Sequence, residues 1–234
     1  MCNLCLFGDS ISKGVVTDKT PEHYTTTDAC FLRLLEQEHP EWDVTSYALF
    51  GSTISKGRSL IKRHAKALAA ADVVVLEFGG NDCDFAWNEI AAQPEGEHEP
   101  KTPVEQFAEI YEEIVGELRA MGKKTVLLNL PPLDAQKYFS WVSRGLDEAA
   151  ILKWLGGSAS FIYRYHEAYS LSVGDIAVRQ QVPLVDIRSP FLRRRDYSEL
   201  LCEDGIHPNV RGHALIADVI REEMPGLKTR FGFA

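Results

Sequence analysis

Five short apolar runs alternate along the chain with longer stretches of helical periodicity. The runs fall at about 2–8, 43–49, 72–78, 124–130 and 182–187. Asp72-Val-Val-Val-Leu-Glu-Phe78 and Thr125-Val-Leu-Leu-Asn-Leu130 are almost unbroken β-branched and aliphatic stretches. Strands covered by helices on both faces of a parallel sheet have that pattern. Apolar residues at 104, 107, 108, 110, 111, 114, 115 and 118 form a helical stripe. A last helix is predicted from about Asn209 to Glu223, carrying Ala214, Ile216, Ala217, Val219 and Ile220. Alternation of this kind predicts an α/β fold with a doubly wound, five-stranded parallel sheet and right-handed crossovers.

Two stretches interrupt the alternation. Residues 93–103 are polar and proline-rich and read as a surface loop. Residues 131–181 are too long for a simple crossover helix, and they read as two helices broken at Gly156-Gly157. This segment holds Tyr138, Phe139, Trp141, Trp154, Phe161, Tyr163, Tyr165 and Tyr169. Such aromatics are either the apolar face of packed helices or a lid over a site. No internal repeat or shift in composition divides the chain, so residues 1–234 read as one domain.

Composition changes the picture only at the margins. A hydrophobic content of 45% suits a globular chain with a sizeable core. The net charge of −9 argues against a general phosphate-backbone binder, and so against nucleic acid as the partner. Five cysteines, Cys2, Cys5, Cys30, Cys83 and Cys202, are an odd number without the spacing of a disulfide framework. Cys2 and Cys5 form a C-x-x-C, but on a strand residues three apart face opposite ways, which disfavours a metal or redox pair. Nowhere do about 18 apolar residues run uninterrupted, and no basic, apolar leader opens the chain. The expectation is a cytoplasmic protein without a membrane span, although a processed secreted form would look the same.

The candidate chemistry sits in three short segments. In open α/β sheets, ligands bind beyond the carboxyl ends of the strands. Ser10 in Gly8-Asp9-Ser10-Ile11 follows the first predicted strand, Gly51 the second and Asn81 in Gly80-Asn81-Asp82 the third. Asp204 and His207, in Asp-Gly-Ile-His, lie between the fifth strand and the last helix. All therefore fall on one edge of the sheet. The glycine at a strand-to-helix turn would expose the Ser10 hydroxyl at the start of a helix. Three-residue spacing would let Asp204 hold one nitrogen of His207 and leave the other free to take a serine proton. Taken singly, each has a plain structural reading: Ser10, Ser12, Asp204 or Asn209 as a helix cap, and Gly80-Asn81-Asp82 as a turn. The other six histidines show no metal-ligand spacing and read as exposed or partly buried.

These residues resemble the GDSL/SGNH hydrolase family of serine esterases and lipases. The matching positions are Ser10, Gly51, Asn81 and His207, in the family's order, with Ile11 where the family name has Leu. The resemblance implies a flavodoxin-like three-layer α/β/α sandwich and hydrolysis of an ester, thioester or amide without a metal or other cofactor. It implies an oxyanion hole of the Ser10 N–H, the Gly51 N–H and the Asn81 amide, with Ser10, Asp204 and His207 as the catalytic residues. Asp84, Phe85 and Trp87 directly follow the oxyanion asparagine and are the candidate substrate-binding residues. Aromatics beside polar groups suit a sugar ring or a short acyl chain, and deacetylation of a carbohydrate is the leading reading. The same mechanism would serve a lipase or thioesterase, and the same scaffold could bind a glycan or acyl group without turnover. Ser10-Ile11-Ser12-Lys13 also fits S-x-x-K, but the companion S-D-N and K-T-G elements are missing. The glycine and lysine spacing from Gly8 to Gly14 is wrong for a P-loop. Oligomeric state and the physiological ester are not written in the pattern.

Overall fold

The computed structural model of the chain describes residues 2–17 and 23–232. Its strands are β1 (Cys2–Gly8), β2 (Val15–Thr17), β3 (Tyr24–Thr26), β4 (Trp42–Ser46), β5 (Val73–Glu77), β6 (Lys124–Leu128) and β7 (Leu184–Val185). Five of them form a parallel sheet in the order β4-β1-β5-β6-β7. The chain begins in the middle, steps out to β4 and returns to build the other half from β5. The order therefore reverses between β1 and β5, where an open α/β sheet places its ligand crevice. The register pairs Gly8 with Glu77, so both strands deliver their following loops to the same point.

The helices are α1 (Phe31–Glu38), α2 (Ile54–Arg63), α3 (Ala65–Ala70), α4 (Trp87–Ala92), α5 (Val104–Ala120), α6 (Ala135–Val142), α7 (Glu148–Trp154), α8 (Ser160–Gln180), α9 (Ser189–Leu192) and α10 (Val210–Phe231). Strand alternation divides the core between two faces. Cys5, Phe7, Val74, Leu76 and Leu127 pack with α2, α3, α5 and α8, while Leu6, Val73, Val126, Leu128 and Val185 pack with α1, α9 and α10. The result is the three-layer α/β/α sandwich with its five-stranded parallel sheet. A third apolar cluster joins α4, α6, α7 and the start of α8 beside the crevice. A cavity of about 390 Å³ lies on the α1/α10 face, lined by Leu4, Phe31, Val73, Met224 and Phe231. It touches none of the predicted reactive groups.

The structure departs from the sequence expectations in four places. No helix follows β1. Lys13 N–H bonds to the Asp9 carbonyl at 3.1 Å, and Gly14 then turns the chain into β2 with φ +76°. A Cβ on Gly14 would stand 2.5 Å from that of Cys30, so only glycine fits. The antiparallel pair β2–β3 was not foreseen, because three-residue strands carry too little periodicity to register. The segment 131–181 contains three helices, not two, with an additional break at Gly145 (φ +72°). Finally, α10 runs past Glu223 and through Pro225 to Phe231. Its start is set by Asn209, whose side chain accepts from the Arg211 and Gly212 N–H groups.

Two histidines expected to be exposed or partly buried lie deep in the interior. His166 is 6% exposed and His213 not at all. His213 stacks on Phe31, and neither of its ring nitrogens has a hydrogen-bond partner among the described residues. Burial, and after it the nearby His207, pull its pKa down to about 4. In the unfolded chain the same group titrates near its ordinary 6.5, so protons bind the unfolded state preferentially between these values. The contribution is whole above pH 6.5 and fades as pH falls towards 4. His213→Leu is expected to be at least as stable as the parent at pH 7 and to escape about 2 kcal/mol of the loss that the parent suffers between pH 7 and 5. Urea unfolding at the two pH values measures this, and parallel losses in both proteins would contradict it.

Candidate active site

Every predicted reactive residue comes to the carboxyl edge of the sheet at the β1/β5 reversal. Asp204 anchors the Asp-Gly-Ile-His turn by accepting from the Ile206 and His207 backbone N–H groups, each at 3.1 Å. Its other oxygen lies 2.5 Å from His207 Nδ1. His207 Nε2 is 2.8 Å from Ser10 Oγ, across 197 residues of chain. The three side chains are almost sealed, with exposures of 6% for Ser10, 3% for His207 and none for Asp204. Gly205 lets this turn approach the start of α6. It has φ +74°, and a Cβ there would meet the Asp134 carbonyl at 2.8 Å. Asp134 N–H in turn donates to the Gly205 carbonyl.

Ser10, Gly51 and Asn81 line one cavity of about 290 Å³ with His207. Gly51 is left-handed, with φ +68°, and neither its N–H nor that of Ser10 has an acceptor among the described residues. Asp82, which the sequence offered only as a turn residue, ties these loops together. Its carboxylate accepts from Ile54 N–H at 3.0 and 3.1 Å, joining the loop after β5 to the start of α2 just beyond Gly51. Burial pushes Asp82 up to about 6, against the hydrogen bonds from Thr102 and Ile54.

Beneath Asn81 lies a carboxyl pair. Asp9 accepts from Ile11 N–H at 2.9 Å with one oxygen and from Asn81 Nδ2 at 3.1 Å with the other. Glu77 accepts from the Ser12 hydroxyl at 2.8 Å. Both acids are buried. Burial, then the charge of Glu77, hold Asp9 well above the usual carboxylate range. Burial also raises Glu77, although hydrogen bonds from Ser12 and Asp9 oppose it. Two adjacent buried carboxyls cannot both ionise cheaply, and burial therefore raises both. Glu77 carried a signal in the sequence, as the one charged residue inside an apolar strand.

The rest of the cavity is aromatic. Tyr24 packs its ring edge on His207 at 5.4 Å and meets Phe50 and Trp141, so β3 contributes a residue that the motif search missed. Burial, and then the Asp204 charge, push the Tyr24 hydroxyl up to about 12. Phe85 and Trp87 line the cavity as buried rings. Asp84 lines it too, but its oxygens are engaged: it accepts from Trp87 Nε1 at 2.9 Å, Tyr138 Oη at 2.6 Å and Lys101 Nζ at 2.8 Å. Its evident work is to join α4 to α6. Among the described residues, no group of three or more His, Cys, Asp or Glu side chains is placed to hold a metal ion.

Removing the Asp84 carboxylate would strand two buried donors, while its half-exposed partner Lys101 would simply be solvated. Asp84→Ala is expected to lower unfolding stability by about 2–6 kcal/mol at one to three per orphaned group. A urea midpoint unchanged from the parent would exclude this anchoring role.

Comparison with known proteins places this geometry in context. The rice (Oryza sativa subsp. japonica) GDSL esterase/lipase WDL1 is 24% identical over 153 residues, covering 63% of this chain. The alignment spans about half of the rice protein, 51% of its length. A lipase/acylhydrolase from Enterococcus faecalis superposes with a TM-score of 0.67 at 18% identity, covering 97% of this chain and 96% of its own. A point mutant of Axe2, an acetyl-xylooligosaccharide esterase from a Geobacillus species, superposes at 0.64 with 17% identity, covering 99% of this chain and 94% of its own. These structures share the fold. The sequence pattern of the GDSL-like lipase/acylhydrolase family matches residues 6–215, and the chain belongs to that family.

Proposed function

We propose that the protein is a serine hydrolase of carboxylic esters whose chemistry needs no metal, with Ser10, His207 and Asp204 as its catalytic residues. The observation that carries this reading is the unbroken chain of contacts from Asp204 through His207 to Ser10, facing a cavity. A serine hydroxyl is a weak nucleophile until a base takes its proton, and His207 Nε2 is within reach of that proton. Asp204 fixes the imidazole tautomer and stabilises the imidazolium.

In this mechanism Ser10 Oγ attacks the ester carbonyl carbon while its proton passes to His207 Nε2. The carbonyl π electrons become an oxyanion, held by the Ser10 N–H, the Gly51 N–H and Asn81 Nδ2. The C–O bond to the alcohol then breaks, and His207 returns the proton to the leaving oxygen. Water attacks the acyl-enzyme by the same route, releasing the acid and restoring Ser10.

A volume of about 290 Å³ favours a short acyl group over a long lipid chain, and the aromatic walls suit a sugar ring. The reading is therefore an O-acetylesterase acting on a carbohydrate. Among the described residues no helix is long and apolar enough to cross a membrane. The five cysteines are free, which fits a reducing, cytoplasmic setting.

Two variants test the chemistry. Ser10→Ala should lose at least about 10³-fold in kcat on p-nitrophenyl acetate, and fluorophosphonate labelling with it. In a C2-to-C12 ester series the parent should be fastest at C2; full activity in Ser10→Ala would refute the assignment. Asp9→Asn leaves one acceptor for two donors, Ile11 N–H and the Asn81 amide. If Asn81 flips its oxygen into the hole, kcat should fall about 10²–10³-fold with KM nearly unchanged. An unaltered kcat in Asp9→Asn would remove Asn81 orientation from the mechanism.

A further inference from the structure

His166, on α8, lines the same cavity as Ser10, and its state is set by a residue that follows β7. Arg188, itself 5% exposed, places Nη1 3.3 Å from His166 Nδ1. The guanidinium is held in place by the Leu130 carbonyl and Glu167, each at 3.4 Å, and by the Tyr163 ring at 5.1 Å. A guanidinium can only donate, so Nδ1 must accept and the ring proton must sit on Nε2. Burial, and next the Arg188 charge, pull the pKa of His166 down to about 3, so the ring stays neutral at ordinary pH. Nε2 has no hydrogen-bond partner among the described residues, and it is not sealed inside the protein. It therefore opens on the cavity that His166 lines.

We propose that the Nε2–H of His166, locked in that tautomer by Arg188, is a substrate-binding donor that recognises an acceptor oxygen on the alcohol portion of the ester. The proposal rests on the esterase reading for the placement of the substrate. In a short acyl ester the carbonyl oxygen is taken by the oxyanion hole, and an acetyl group has no second oxygen to offer. The acceptor must then come from the alcohol: a ring or hydroxyl oxygen of a sugar rather than a plain alkyl or aryl alcohol. Two donors on the same wall, Trp87 Nε1 and the Tyr138 hydroxyl, do not compete, since both are spent on Asp84. A buried donor that a substrate leaves unpaired penalises that substrate, so this N–H selects against alcohols lacking the oxygen.

The test compares kcat/KM for a mono-acetylated methyl glycoside with that for cyclohexyl acetate, a ring of similar size without oxygen. The parent should prefer the glycoside. His166→Phe should lose about ten- to a hundredfold of that preference, through slower turnover of the glycoside and through relief of the penalty on cyclohexyl acetate. His166→Gln can accept from Arg188 and donate to the cavity at once, so it should recover much of the preference. An unchanged preference in His166→Phe would overturn the proposal while leaving the esterase standing. Should neither ester be hydrolysed in a Ser10-dependent way, the esterase reading fails by itself. Titration with the deacetylated methyl glycoside, followed by the ¹⁵N resonances of the imidazole, then decides the matter separately. Weaker binding to His166→Phe than to the parent, with a shift at Nε2, supports the donor. Equal affinity, or a proton found on Nδ1, overturns it.

Discussion

The buried Asp9–Glu77 pair is the constraint around which the carboxyl edge of the sheet is arranged. Parallel pairing of β1 with β5 sets Gly8 against Glu77, so the chain leaves β1 with an acid directly beside it. Two carboxyls in a sealed site are tolerable only if one holds a proton and the remaining oxygens find donors. The Ile11 N–H, the Ser12 hydroxyl and the Asn81 amide serve three of the four oxygens, and Glu77 Oε1 has no partner among the described residues. The turn that brings Ser10 to the cavity and the asparagine that lines it are thus fixed by one electrostatic requirement. Asp82 extends the requirement to the Gly51 loop through Ile54 N–H. The proposed oxyanion hole is held from below by acids, which would be poor neighbours for an anion were both ionised.

The helical segment after β6 is joined to this edge by polar contacts of its own. The Asp134–Gly205 backbone bond seats α6 against the Asp-Gly-Ile-His turn, and Asp84 links α4 to α6 through Tyr138. Its aromatic residues divide between packing and the cavity wall. Tyr138, Phe139 and Ile162 are core of the third apolar cluster. Tyr138, Trp141, Phe161 and Tyr165 also face the cavity. A wall built this way is shaped by packing, and Asp84 takes up the polar groups of Trp87, Tyr138 and Lys101.

Much of the site was legible because it depends on local spacing. Asp204 and His207 are three residues apart in a turn, and geometry on that scale is nearly decided by sequence. Ser10, Gly51 and Asn81 each follow a strand that apolar periodicity marks clearly. The expected helix after β1 failed because Gly14 must pack against Cys30, a contact sixteen residues distant that no local pattern shows. Tyr24 was missed for the same reason, since it reaches His207 from a three-residue strand. The depths of His166 and His213 were misjudged because a lone histidine on a helix carries no label of its environment.

By itself, then, the sequence determined the strand sequence, the parallel α/β class and the residues gathered beyond the strand ends. Period-two and period-3.6 burial patterns and short turns are properties of neighbouring residues, and those survive in one dimension. Only the tertiary structure decided which groups are charged and which nitrogen of each histidine carries a proton. Asp9 is held well above the usual carboxylate range by burial and by Glu77, which lies 68 residues away and shares its dry pocket. His166 presents Nε2–H because Arg188 arrives at Nδ1 from beyond β7. Protonation and tautomer follow from desolvation and from partners distant in sequence, and those exist only once the chain has closed around them.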